Sequence, residues 1–165
     1  MIIVSKLADY AVVLAVQLGH MGQNLGPLAG LTQASTADLA EATKLPGATV
    51  AKVLKALNRA GIVSAARGAG GGYRLARSPA DLTVAEVIAA IDGPLGMTEC
   101  AGDADHDSCT HMSYCATKPH WARITLAVQA ALGAVTVEDM MAPPFMPAVS
   151  ASRPAPSLAL GADAS

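Results

Sequence analysis

The order of local patterns between residues 35 and 75 constrains the fold of this chain more than any other feature. Ser35 and Asp38, three residues apart, form a candidate capping box, and the residues after Ser35 predict a short helix. The run 44–47, with its proline and glycine, ends that helix, and residues 48–60 predict a second, amphipathic helix. Two short extended segments then flank a glycine-rich turn at 68–72, which predicts a β-hairpin.

The succession of helix, turn, helix and hairpin is typical of a winged helix-turn-helix. Residues 5–21 predict a helix before this unit, and a capping box at Thr83 opens another one after it. A longer helix is predicted over 119–132, with the apolar stripe Trp121, Ile124, Val128 and Leu132. The fold class that follows is mainly α with a small β-hairpin wing and a long C-terminal helix.

The basic residues of the chain are concentrated in one stretch. The net charge is −2, yet residues 44–77 hold seven lysines and arginines and no acidic residue, which leaves −9 for the remainder. A local positive patch, rather than the mean charge, decides whether phosphates are attracted. A solvated helix surface is the alternative interpretation, but seven cations without a counter-charge favour nucleic-acid binding.

The second helix of the pair is expected to enter the DNA major groove, with its early exposed residues against base edges. Arginines of the wing are expected to reach phosphates or a narrow minor groove. The glycine-rich tip would let the hairpin approach the DNA backbone closely, although such a run is also typical of a simple flexible turn. The candidate DNA-binding residues are Thr49, Lys52, Lys55, Arg59, Arg67 and Arg74.

Three cysteines follow this unit, and the chain has no others. Cys100, Cys109 and Cys115 have the spacing Cys-x8-Cys-x5-Cys. No apolar run is long enough to span a membrane and no signal peptide is evident, so we expect a cytoplasmic protein whose thiols stay reduced. An odd number of reduced thiols favours metal binding over disulfides, and soft thiolates suit iron–sulfur clusters, zinc or copper(I).

Acidic residues crowd the cysteines. Because the negative charges of Glu99, Asp103, Asp105 and Asp107 disfavour thiolates, we expect these cysteines to be poor free nucleophiles unless a metal is bound. The sequence also lacks a phosphate-binding loop and a cysteine–histidine pair in a basic setting. We therefore expect neither enzymatic activity nor a small-molecule substrate.

Several motifs occur together in the order found in one family of regulators. They are the stretches 5–11, 38–40, 49–57 and 60–61, the wing Gly71-Gly72-Tyr73-Arg74-Leu75-Ala76-Arg77, Glu99-Cys100 and Pro119-His120-Trp121. Over about residues 1–142 the chain thereby resembles the Rrf-type winged-helix transcriptional regulators, the group that contains IscR, NsrR and RirA. Within that group it is most similar to regulators of the SUF iron–sulfur assembly system.

The resemblance implies a homodimeric repressor of iron–sulfur assembly genes that binds a palindromic double-stranded DNA operator. Residues 1–82 would form the winged helix-turn-helix DNA-binding domain, and 83–142 the cluster-binding loop and the dimerisation helix. Residues 143–165, which are rich in proline, alanine and serine, are expected to be a disordered tail. The three cysteines would hold an iron–sulfur cluster that senses iron–sulfur or redox status, and we favour a [2Fe–2S] core over [4Fe–4S].

Three sulfurs leave one ligand position open on either cluster. IscR-like members place a histidine three residues after the last cysteine, where this chain has Lys118, so the nearby His120 is one candidate. Asp9 is another, because it lies where NsrR-like members use an acidic N-terminal residue. His106 and His111 are further candidates, although exposed loop histidines are often merely solvated. The alternative to a cluster is a structural zinc site in a regulator without redox sensing.

Overall fold

The computed structural model describes residues 4–23, 33–68, 70–98 and 115–142 of the 165-residue chain. Within these ranges it has six α-helices and one two-stranded antiparallel sheet. The elements are α1 (Lys6–Gln23), α2 (Thr36–Thr43), α3 (Gly47–Arg59), β1 (Val63–Ala66), β2 (Gly72–Leu75), α4 (Val84–Asp92), α5 (Lys118–Gly133) and α6 (Val137–Met141). None of the described helices is long and apolar enough to cross a membrane. The predicted fold class is confirmed.

Local signals set the start of α2 and its separation from α3. Ser35 Oγ accepts a hydrogen bond from the Asp38 N–H (3.1 Å), and the Asp38 carboxylate accepts one from the Ser35 N–H (2.9 Å), so the capping box is complete. Helix α2 ends at Lys44, whose φ of 58° lies in the left-handed region. That conformation is uncommon for a residue with a side chain, and it produces the tight turn between the two helices.

Helix α1 lies at the centre of the hydrophobic core. Its residues Ala8, Ala11, Leu14 and Ala15 are fully buried, and the small alanines allow neighbouring elements to approach closely. The other fully buried large side chains are Leu39, Val50, Val53, Leu54, Leu57, Val63, Leu82, Val87 and Val137. The core therefore joins the winged helix-turn-helix to residues of α4 and α6.

The C-terminal part of the described chain returns to this core. The Val84 N–H donates to the Val135 carbonyl (2.9 Å), and the Val137 N–H donates to the Leu82 carbonyl (2.8 Å). Helix α6 packs against α1, where Met141 lies directly over Gly19. The end of α5 is consequently tied to the winged head, which we define as residues 4–92 of the described chain together with α6.

The hairpin wing pairs Val63 with Leu75 and Ala66 with Gly72. Ala34 adds one more rung, since its N–H donates to the Tyr73 carbonyl (2.9 Å) and its carbonyl accepts from the Tyr73 N–H (2.8 Å). A Cβ atom at Gly72 would lie 2.6 Å from the Ala34 carbonyl oxygen. The glycine at this position is therefore required because the base of the wing packs against the head, and not only because the turn needs flexibility.

Arg77 fastens the end of the wing to α4. Its guanidinium donates to the Glu86 carboxylate (2.7 Å) and to the Asp81 carbonyl (3.2 Å). Glu86 also completes the predicted capping box by accepting a hydrogen bond from the Thr83 N–H (2.9 Å). The Thr83 N–H, followed by the Arg77 guanidinium, holds the pKa of Glu86 below its usual range.

The lowered pKa of Glu86 predicts a pH-dependent contribution to stability. The contribution is present above the unfolded pKa of about 4.3 and is lost as the pH falls through the lower folded pKa. Since both partners are partly exposed, we expect Glu86→Gln to decrease the free energy of unfolding by about 1 kcal/mol or less at pH 7. Urea unfolding at several pH values measures this, with the exposed Glu138→Gln as control. A difference from wild type that persists undiminished at pH 3 contradicts the prediction.

Candidate functional site

The exposed face of α3 carries the basic residues predicted to contact DNA. Lys52, Lys55 and Arg59 are exposed, and their spacing of three and four residues places them on one side of the helix. Thr49 is partly exposed one turn earlier. Helix α3 has no acidic residue, and its opposite face is buried in the core. The structure thus presents these four residues together on a surface suited to polyanions.

The N-terminus of α3 is open at the same surface. Pro46 is the N-cap residue and makes no side-chain capping hydrogen bond. Gly47 and Ala48, which begin the helix, are exposed. An uncapped helix N-terminus carries partial positive charge and free N–H groups that suit a phosphate. Sequence reasoning missed this feature, although the signal was present, since no serine, threonine, aspartate or asparagine occupies the cap position.

The two wing arginines lie on the exposed surface of the hairpin. Arg67 follows β1, and Arg74 lies in β2 opposite Ser64. Arg74 Nε donates to Ser64 Oγ (3.2 Å), which orients the arginine across the hairpin. Arg77 differs, because its charge is paired with Glu86. The patch of seven cations inferred from the sequence must therefore be corrected, since Arg77 fastens the wing and is neutralised by a carboxylate outside the 44–77 stretch.

Cys115 is partly exposed immediately before α5. Its Sγ and the Thr117 Oγ1 share a hydrogen bond of 3.2 Å. Thr117 is the N-cap residue of α5 but makes no capping hydrogen bond, so its hydroxyl serves the cysteine instead. Hydrogen bonds from Thr117, with smaller effects from Lys118, hold the pKa of the Cys115 thiol below its usual range.

The lowered pKa favours a thiolate at Cys115, whereas the acidic residues expected to disfavour it lie outside the described residues. Short-range hydrogen bonds to the sulfur act against the unfavourable charges counted along the sequence. The thiolate is the form that binds soft metals, so the local chemistry of Cys115 fits a ligand of iron or zinc. Cys100, Cys109, His106 and His111 lie outside the described residues.

The two other ligand candidates are both exposed in first helical turns. Asp9 lies in α1 and His120 in α5. Asp9 forms no ion pair with Lys6 in the described structure, and the Lys6 ammonium lies 5.8 Å from the centroid of the Tyr10 ring. Among the described residues, no three histidine, cysteine, aspartate or glutamate side chains come together within the chain. Asp9, Cys115 and His120 therefore do not form a site by themselves in one subunit.

Helix α5 also holds the segment that leads towards Cys100. Gln129 Nε2 donates to the Leu95 carbonyl (2.9 Å), and Thr125 Oγ1 accepts from the Met97 N–H (3.4 Å). Thr125 is the one buried residue of α5. Sequence reasoning missed both contacts, because a threonine and a glutamine within an apolar helix give no signal of a partner about thirty residues earlier in the chain.

Comparison with known proteins places this arrangement in a family. The model of the Rrf2 family, described as iron-dependent transcriptional regulator, matches residues 5–143. The chain belongs to the Rrf2 family. The winged-helix fold and the resemblance to Rrf-type regulators inferred from the sequence motifs are confirmed.

Curated relatives of this Rrf2 protein are also named as transcriptional regulators. The HTH-type transcriptional regulator IscR of Vibrio atlanticus is 32% identical over 105 residues, which are 64% of this chain and 59% of that protein. The putative HTH-type transcriptional regulator ORF2 of Azotobacter vinelandii is 32% identical over 133 residues, or 81% of this chain and 75% of the relative. The chain thus spans less than two thirds of the length of the IscR relative.

Solved structures agree with the family assignment. IscR of T. potens superposes with a TM-score of 0.61 at 26% identity, covering 85% of this chain and 86% of that one. CymR, described as the global cysteine regulator of B. subtilis, superposes with a TM-score of 0.64 at 25% identity, covering 86% and 97%. Both similarities cover more of the chain than the winged head alone.

Proposed function

We propose that this Rrf2 protein is a homodimeric, cytoplasmic repressor whose affinity for DNA depends on an iron–sulfur cluster held by Cys100, Cys109 and Cys115. The observation that carries the proposal is the arrangement of Cys115, whose thiolate is favoured by Thr117, on the same chain as a basic surface formed by α3 and the wing. The resemblance to SUF regulators suggests iron–sulfur assembly genes as its targets. We propose a regulatory rather than an enzymatic role, without a small-molecule substrate.

The DNA contacts follow from the exposed surface of α3 and the wing. Thr49, Lys52 and Lys55 are proposed to face base edges in the major groove, because they follow one another at three-residue spacing on the exposed side of α3, before Arg59. Arg59, Arg67 and Arg74 are proposed to contact phosphates or the minor groove. The open N-terminus of α3 would bind a further phosphate.

The metal proposal rests on donor chemistry. Cys115 supplies a thiolate favoured by its surroundings, and the two remaining cysteines would complete three sulfur ligands. A bound cluster would supply a redox-responsive group that also adds or removes charge at the start of α5. The fourth ligand stays open between Asp9 and His120, with His106 and His111 as alternatives. Iron analysis of Asp9→Ala and His120→Ala separates the first two, because only loss of the true ligand decreases iron retention.

Helix α5 is proposed to form the dimer interface. From Ile124 to Gly133 the helix has no charged residue, although much of it is exposed. Ile124 and Leu126 remain 43% and 64% exposed, while Val128 is half-buried and Leu132 packs against the core. An exposed, uncharged, alanine-rich helix surface is typical of protein–protein contacts. A two-fold dimer would also match two half-sites of a palindromic operator.

We expect Leu126→Glu to convert the dimer to a monomer. A carboxylate buried between two apolar helices lacks a partner and its desolvation opposes association. Sedimentation velocity at micromolar concentration measures the change in mass. Met140→Glu is the matched control, because Met140 is also a large exposed apolar side chain, at 48%, but lies on α6. A Leu126→Glu protein that remains dimeric places the interface elsewhere.

The experiment that tests the proposed function compares operator binding with and without the metal. The probe is a duplex selected by the wild-type chain from a randomised pool, and the protein is purified without air and then either kept intact or stripped with a chelator. We expect affinities that differ by about fivefold or more between the two forms. Equal affinities, or a protein that carries only zinc, would favour the alternative of a structural zinc site.

A further inference from the structure

The short segment 92–97 is attached to the winged head at its first residue. Asp92, the last residue of α4, accepts hydrogen bonds from the Ser5 hydroxyl (2.6 Å) and the Ser5 N–H (3.3 Å). Ser5 precedes α1, and its hydroxyl in turn accepts from the Ala8 N–H (3.1 Å). This end of the segment is therefore linked to the start of α1, the helix at the centre of the core.

The other end of the segment is attached to α5. The Leu95 carbonyl and the Met97 N–H bind Gln129 and Thr125, which are four residues apart and share one side of the helix. Helix α4 cannot extend into the segment, because Gly93 has a φ of 83° and Pro94 follows it. After Gly93, whose N–H makes the last hydrogen bond of α4, the backbone up to Met97 is held by the two hydrogen bonds from α5 and not by a regular helix or strand.

The segment 92–97 is not tightly packed between α4 and α5. A cavity of about 280 Å³ lies between α4 and α5, lined by residues that include Ile88, Gly93, Pro94, Leu95, Gln129 and Leu132. Well-packed interiors resist small displacements, whereas a cavity leaves room for one. The Gln129 and Thr125 hydrogen bonds are direct contacts that hold the segment on α5 beside this cavity.

We propose that Gln129 and Thr125 are positioning residues that transmit the state of the cysteine site to the winged head. The proposal rests on the function proposed above. Cys100 lies three residues after the end of the segment, and Cys115 lies three residues before the start of α5. A cluster that holds Cys100 and Cys115 together would displace the segment 92–97, which is hydrogen-bonded to the middle of α5. Through Asp92 and Ser5 the effect reaches α1, and so changes how the two recognition helices of a dimer are presented to DNA.

Isosteric variants separate transmission from metal binding. Gln129→Met keeps the size of the side chain and removes the donor, and Thr125→Val keeps the shape and removes the hydroxyl. Thr125→Ser restores the hydroxyl, and Gln17→Met on α1 is a matched control for the glutamine change. For each full-length variant, iron and sulfide per chain are measured together with the affinity for the selected duplex before and after chelator treatment.

We expect wild type, Thr125→Ser and Gln17→Met to show the same ratio of affinities, about fivefold or more. Gln129→Met and Thr125→Val should keep wild-type iron and sulfide while that ratio falls to within about twofold of one. Amide hydrogen exchange in peptides spanning 93–97 should be faster in both variants, which is a readout independent of DNA. If one variant fails to fold, the other decides the outcome.

Two results overturn the inference alone. The first is a responsive wild type whose ratio is unchanged in Gln129→Met and Thr125→Val. The second is loss of iron from these variants, because that would assign the two residues to holding the metal and not to transmission. A wild-type chain without iron, or with equal affinity in both forms, contradicts the proposed function and with it the inference, so the two failures are distinguishable.

Discussion

Replacing Lys52 by alanine is expected to weaken operator binding at least about tenfold and to relax the preference for particular bases. Lys52 lies on the exposed side of α3, in the first half of the helix, and a dimer presents two copies. A good base contact contributes about 1–3 kcal/mol of discrimination, and a loss of about 1.4 kcal/mol corresponds to a factor of ten. Fluorescence anisotropy with the selected duplex and single-base variants of it, at one fixed salt concentration, measures both effects.

Two arginine variants show whether the expected effect of Lys52→Ala on base preference is specific to that residue. Arg67→Ala should weaken binding to all sequences by similar factors, because a phosphate contact carries no sequence information. Arg77→Gln is the matched control within the same basic stretch, and we expect less than about a threefold change, since Glu86 already neutralises that cation. If Lys52→Ala binds every duplex as wild type does, α3 is not the recognition helix.

Replacing Cys115 by alanine is expected to remove the bound iron and sulfide and, with them, the visible absorption of thiolate-ligated iron. The Cys115 thiolate is favoured by Thr117 and Lys118, and a cluster left with two thiolates loses one of its three sulfur ligands. Operator affinity should then equal that of chelator-stripped wild type. Metal and sulfide analysis, visible spectra and duplex binding on anaerobically purified protein measure the three effects.

Cys115→Ser is the matched variant, because it preserves size while replacing a soft sulfur by a hard oxygen. It should lose iron in the same way as Cys115→Ala. The urea midpoint should stay close to that of chelator-stripped wild type in both, since Cys115 is partly exposed and lies outside the hydrophobic core. Full iron content in either variant would remove Cys115 from the ligand set.

Local signals in the sequence predicted the helices, both capping boxes and the hairpin, because each depends on residues close together in the chain. Ser35 with Asp38, and Thr83 with Glu86, form as predicted. Contacts between distant residues carried no such signal. The rung that Ala34 adds to Tyr73 and the return of Val137 to Leu82 involve single residues without periodicity. They became visible only in the folded chain.

Predictions about charge were incomplete where they relied on counting charged residues along the sequence and not on their positions in the fold. Arg77 was counted among the seven basic residues of the stretch 44–77, but it pairs with Glu86, nine residues later on α4. At Cys115, a hydroxyl two residues away favours the thiolate, which a count of acidic residues along the sequence did not predict. Groups within hydrogen-bond distance act most strongly on the pKa of a titratable side chain. The domain boundary at residue 82, the tail at 143–165 and the fourth ligand stay predictions.

The central claim is that sulfur-bound iron on this chain controls how the winged head holds DNA. The most direct test is to purify the full chain without air and measure its iron, acid-labile sulfide, zinc and visible spectrum. The account predicts a coloured protein with about two irons and two sulfides per chain if the core is [2Fe–2S], and no stoichiometric zinc. Colourless protein that contains neither iron nor sulfide would contradict it, and a DNA-binding Rrf2 protein without an iron–sulfur sensor would remain.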